Sequence, residues 1–211
     1  MTGEPGNGPG PAEKTRKARP MADSAYEPVA VSRRIGAPAH EIFRVLADPR
    51  RHIEIDGSGM LRGAVGDEVV SAVGDVFVMR MHFSRLGDYE MNNHVVEFEP
   101  DRRIGWEPEA GRGHPDAATE DPADARWGHR WSFELTPDGP DATVVTEIYD
   151  CSGAPESERA GMDGGKVWLG SMASTLERLD AICTGATPEA GVEEAGAVEA
   201  GAVEAGESAA E

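Results

Sequence analysis

The sequence predicts an α+β domain, and three observations predict it. Segments of alternating polarity follow one another from residue 75 to residue 151. Helical spacing of apolar residues is confined to a short stretch near residue 42 and a long one ending at Cys183. Strands and helices are therefore segregated along the chain, which separates this pattern from an alternating α/β one.

The first strand is "YEPVAVSRRIGAP", with Val29, Val31 and Arg33 on one face. A Gly-Ala-Pro break leads into "APAHEIFRVLAD", where Pro38 suits a first helical turn and Ile42, Val45 and Leu46 recur at helical spacing. Asp48 precedes Pro49 and closes that helix. "RRHIEI" is compatible with a second short helix or with an extended lead into Gly57-Ser58-Gly59. "DVFVMRMHF" (75–83) alternates, with Phe77, Met79, Met81 and Phe83 on one face. "YEMNNHVVEFEP" (89–100) groups Asn92, His94, Val96 and Phe98, and "RRIGWEP" (102–108) groups Ile104 and Trp106. A long polar loop, 109–125, precedes "RWGHRWSFELTP" (126–137), which groups Trp127, His129, Trp131, Phe133 and Leu135. "TVVTEIYDC" (143–151) is its hairpin partner; Glu147 and Tyr149 share one of its faces, with the direction left open. A closing helix is expected from about Glu158 to Cys183, with Leu169, Met172, Leu176, Leu179 and Cys183 as its apolar stripe. Asp163-Gly164-Gly165 is placed to delay or bend it.

The two ends have a different composition. Residues 1–25 are rich in Gly, Pro and charge, and 186–211 repeat Glu, Ala, Gly and Val at a five-residue period. Such segments bury too little apolar surface to offset their ordering entropy, so both are expected to be disordered tails around a domain at 26–185. The chain has 211 residues and a formal charge of −19, and seven Glu with no base fall in the last 26 residues. An acidic balance argues against nucleic acid and anionic membrane surfaces as partners. No run of eighteen apolar residues and no apolar leader is present, and Cys151 and Cys183 have neither metal-like nor redox-like spacing. A cytoplasmic protein without stable membrane insertion is expected; the oligomeric state is left open.

The order strand, short helices, antiparallel meander and long closing helix resembles the helix-grip fold of the START-like superfamily, also called SRPBCC. That group includes polyketide cyclases and dehydrases, lipid-transfer domains, plant pathogenesis-related proteins and Hsp90-activator-like domains. The likeness is carried by "VSRRIGAPAHEIFRVLADPRRH", by "VVEFEPDRRIGWE" and by the terminal helix, and is similar to bacterial, actinobacterial-type members. The resemblance implies a curved antiparallel sheet around the long helix, with a cavity between them for a small hydrophobic ligand such as a lipid, polyketide or quinone.

Within that frame Phe77, Met79, Met81, Phe83, Trp106, Trp127, Trp131, Phe133 and Met172 are the candidate apolar lining, with Asn92 as a polar ligand contact. The triplet His52, Glu54 and Asp56 falls between the opening helices and the sheet, where the resemblance places the cavity mouth, with Gly57-Ser58-Gly59 as a hinge. His94 and His129 sit on apolar-patterned faces, either as hydrogen-bonded core residues or as an acid and base in catalysis. No nucleophile elbow, phosphate loop, dinucleotide fingerprint or zinc spacing occurs, and neither a cofactor nor a metal is expected. Three functions remain: a ligand-binding domain, a cyclase or dehydratase using the strand histidines, and an Hsp90-activator-like interaction module.

Overall fold

The structure, a computed structural model, describes residues 27–118 and 126–186. The expected tail at 1–25, and all but the first residue of that at 186–211, lie outside the described residues. Seven strands form one antiparallel sheet: β1 (Val29–Ile35), β2 (Leu61–Val65), β3 (Val76–Phe83), β4 (Gly87–Glu99), β5 (Arg103–Ala110), β6 (Arg130–Pro137) and β7 (Thr143–Asp150). Their order is β1-β7-β6-β5-β4-β3-β2, so β2 to β7 form a meander and β1 pairs with the last strand. The sheet is curved and unclosed, with β1 and β2 as its edges.

Two short helices, α1 (Ala39–Leu46) and α2 (His52–Ile55), separate β1 from β2. After β7 come α3 (Glu156–Gly161), a 3-10 segment and α4 (Leu169–Thr184). The closing helix thus spans its apolar stripe but starts at Leu169, not at the expected Glu158. Gly164 and Gly165 have φ of 63° and 95°, values that favour glycine and interrupt the helix. A side chain at Gly165 would also strike the Tyr149 ring, since an added Cβ would lie 2.6 Å from Cδ1.

The core lies between the inner face of the sheet, α1 and the C-terminal half of α4. Ile35, Ile42, Leu46, Ile104, Leu176 and Leu179 are fully buried there. Each such side chain contributes about 1.5–3 kcal/mol over its exposed state. At the edge Arg33 reaches α4, its Nε 2.9 Å from Asp180 Oδ2.

The sheet has one irregularity with large consequences. Val95 pairs with Trp106 but Glu97 pairs with Gly105, so Val96 is an extra residue on β4. A strand alternates with period two, and one inserted residue inverts its phase. Phe98 beyond the bulge faces inward and meets Phe43 edge-on at 5.4 Å between ring centres. Before it the inward residues are Tyr89, Met91, Asn93 and Val95, all buried. The continuous alternation expected for Asn92, His94, Val96 and Phe98 therefore holds only for Phe98. β2 is the strand that alternation does not reveal, being five residues long with Gly63 at its centre.

Candidate functional site

A cavity of about 320 Å³ lies between the sheet, α2 and the N-terminal half of α4. Its strand walls follow from the register. Phe77, Met79 and Met81 of β3 stand across from Asn93, Met91 and Tyr89 of β4. Trp131 and Phe133 of β6 stand across from Tyr149 and Glu147 of β7. Trp106 projects from β5, Trp127 from the segment before β6, and Met172 from α4; all belong to the lining. The four tryptophans of the chain, completed by Trp168, all line this cavity.

Most polar groups of the wall bond to one another. The Tyr149 hydroxyl lies 2.7 Å from His129 Nδ1, and His129 Nε2 lies 3.3 Å from Glu158 Oε2. A carboxylate only accepts, so Nε2 carries the imidazole proton and Nδ1 accepts from Tyr149. Burial lowers the His129 pKa from its ordinary value, against the opposing pull of Glu158. The same desolvation raises that of Tyr149. His52 Nε2 donates to the Leu46 carbonyl at 2.8 Å, and its ring stacks on Trp106 at 5.4 Å between centres. His114, from the loop after β5, packs edge-on to Tyr89 and beside Trp127. Burial lowers the pKa of both His52 and His114, so both are held neutral.

Glu147 differs from these. Its residue is 5% exposed and its Oε2 makes no hydrogen bond among the described residues. Burial first, and the charge of Asp56 second, push its carboxyl well above the usual carboxylate range. Among the described residues no lysine or arginine lines the cavity.

Several expected site residues stand elsewhere. His94 and Asn92 face the outer side of the sheet because of the Val96 bulge. There His94 Nε2 bonds Glu109 within an ion network that joins Arg126, Arg130 and Glu107 across three strands. Asn93, not Asn92, enters the wall, and its amide donates to the Met91 carbonyl at 3.2 Å. Phe83 shares the inner face of β3, but it pairs with Gly87 at the far end and is outside the lining.

The triplet divides because "HIEI" is helical, not extended. His52 is buried in the wall rather than set at a mouth. Glu54 is exposed and pairs with Arg51 at 3.1 Å. Asp56 lines the cavity and fastens its own turn, accepting from Ser58 N at 2.8 Å and Leu61 N at 2.9 Å. Among the described residues no group of three His, Cys, Asp or Glu is arranged to hold a metal ion. Gly57 is not a free hinge: its N–H donates to Thr175 Oγ1 at 3.2 Å, and it lies directly against α4.

Tyr89, Met91 and Asn93 were hidden by the bulge, which leaves no local mark in the sequence. His114, Met162 and Trp168 come from irregular segments with no period to read. Glu147 and Tyr149 needed only the direction of β7, which a carboxyl on the inner face obscures.

No protein-family model matches the chain. An uncharacterized protein of Mycobacterium tuberculosis, Rv0088, is 33% identical over 130 residues, covering 62% of this chain and 50% of that one. The chain thus spans about half the length of the curated relatives it matches. Among solved structures, protein Ms6760 of Mycobacterium smegmatis superimposes with a TM-score of 0.54 at 15% identity, over 79% of this chain and 99% of that one. Protein MLL2253 of Mesorhizobium loti gives 0.51 at 21% identity, over 76% and 99%. A norcoclaurine synthase point mutant from Thalictrum, in complex with a transition-state analogue, gives 0.50 at 13% identity, over 78% and 98%. No helix among the described residues is long and apolar enough to cross a membrane. With its strand order and its closing helix, the chain has the helix-grip fold, a curved antiparallel sheet with a long C-terminal helix.

Proposed function

We propose that this protein binds a small hydrophobic or amphipathic molecule in the cavity between the sheet and α4. The observation that supports this most is the lining itself. A volume of about 320 Å³ is surrounded mostly by aromatic, methionine and other apolar side chains, with polar groups in the minority, as in small-molecule sites generally. A filled interior would favour an interaction module instead. Native mass spectrometry of the purified protein tests for a retained ligand. Titration with a neutral apolar alcohol such as decanol tests for binding, read as saturable change in tryptophan emission and a rise in Tm. Absence of both a retained mass and a saturable change would overturn the reading.

A second reading, an enzyme of the cyclase or dehydratase kind, draws on the Tyr149–His129–Glu158 chain. His129 is the one catalytic candidate of the sequence that lines the cavity. Its neutral ring could pass a proton between Tyr149 and Glu158, whose side chain is 42% exposed. Turnover of an aromatic polyketide precursor that His129→Gln abolishes would favour this reading; binding without turnover would exclude it for that substrate.

A further inference from the structure

We propose that the cavity selects molecules carrying a cationic amine beside an aromatic or alicyclic body, with Glu147 as the group that receives the amine. The proposal rests on the ligand-binding reading above and names the class of ligand.

Glu147 projects from the centre of β7, across from Phe133, into a wall where its carboxyl finds no partner. An unpaired buried carboxyl is costly and calls for a partner that the fold itself does not supply. The neighbouring groups cannot fill the role. The Nε2 proton of His52 is held by the Leu46 carbonyl. Both ring nitrogens of His129 are engaged, by Tyr149 and Glu158. The Asn93 amide is turned to main-chain carbonyls.

The charges also have one sign. Among the described residues Asp56 and Glu147 line the cavity, and no Lys or Arg does. An anionic head group would meet two carboxyls with no counter-charge, whereas an ammonium would be attracted to both. Trp106, Trp131 and Trp168 line the same space, and indole rings attract cations more than anions. In the empty cavity burial and Asp56 favour the neutral acid form of Glu147. An arriving ammonium stabilises the carboxylate and exchanges an unpaired acid for a charge-assisted hydrogen bond.

Three probes with one body separate the possibilities: 4-phenylbutylamine, 4-phenylbutanol and 4-phenylbutyrate, titrated calorimetrically into the full chain at pH 7. The amine is expected to bind about tenfold tighter than the alcohol, and the acid at least about tenfold weaker. In Glu147→Gln, which keeps the shape of the side chain, the advantage of the amine over the alcohol disappears. Thermal unfolding of the variant verifies that it is folded. Binding of the alcohol with no preference for the amine, or a preference that survives Glu147→Gln, overturns the amine proposal and leaves the cavity reading standing. If none of the three binds, the cavity reading fails and the amine proposal with it.

Discussion

A methyl group added to Gly57 would lie 2.0 Å from the Ser171 carbonyl oxygen and 2.6 Å from the Thr175 nitrogen. Both are main-chain atoms of α4, and neither can yield without moving the helix. Gly57→Ala is therefore expected to destabilise the fold by about 3 kcal/mol, the upper part of the overpacking range. In a domain of this size that lowers Tm by about 6–12 °C. An unchanged Tm would show that the turn after α2 is a mobile hinge after all.

The pH dependence of stability has two limbs. His52, His114 and His129 have lowered pKa values in the folded state. The unfolded chain binds protons on them first, so stability is present above about pH 6.5 and is lost as the pH falls. Glu147 acts oppositely, because its folded value is raised. Its contribution is present below about pH 4.5 and is lost as the pH rises towards the folded value. From about pH 4.5 up to its folded value Glu147 contributes a fall of up to about 1.4 kcal/mol per pH unit, which the three histidines oppose below about pH 6.5. In Glu147→Gln the fall contributed by the carboxyl should vanish and the net rise of stability with pH on the acid limb should steepen. Urea denaturation between pH 5 and pH 8 measures both; identical profiles would refute the burial of an ionisable Glu147.

Tyr149→Phe removes the donor to His129 Nδ1 and leaves that nitrogen buried without a partner. A cost of about 1–2 kcal/mol is expected, visible in chemical denaturation. A variant as stable as the parent would mean that the hydroxyl is not bonded to His129.

His94→Gln alters the outer face only. Stability should fall by about 1 kcal/mol, the scale of one half-buried hydrogen bond. Affinity for decanol should stay within about twofold, while Phe133→Ala, in the wall, should weaken it. Loss of binding in His94→Gln would place His94 in the site and contradict the register of β4.

The class of fold was legible in the sequence because it depends on element order and on periods that survive local irregularity. The inner faces of β3 and β6 were legible too, since Phe77 to Met81 and Trp131 to Leu135 alternate without interruption. β4 was not, because a two-residue period has no memory across an inserted residue. β7 was undecided for another reason. Val145, Glu147 and Tyr149 compete with Val144, Thr146 and Ile148, and hydrophobicity alone assigns the carboxyl to solvent. The position that most defies the pattern is the one left without a partner inside.

The Val96 bulge acts as a selector between two sets of side chains. With it, β4 shows the cavity Tyr89, Met91 and Asn93. Were the strand regular with every residue kept and Phe98 fixed, it would show Glu90, Asn92 and His94. Deleting Val96 would not bring them in, because Val95, Glu97 and Phe98 already stand opposite Trp106, Gly105 and Ile104 in unbroken order. The bulge thus lets β4 carry one more residue while the aromatic and thioether wall stays as it is.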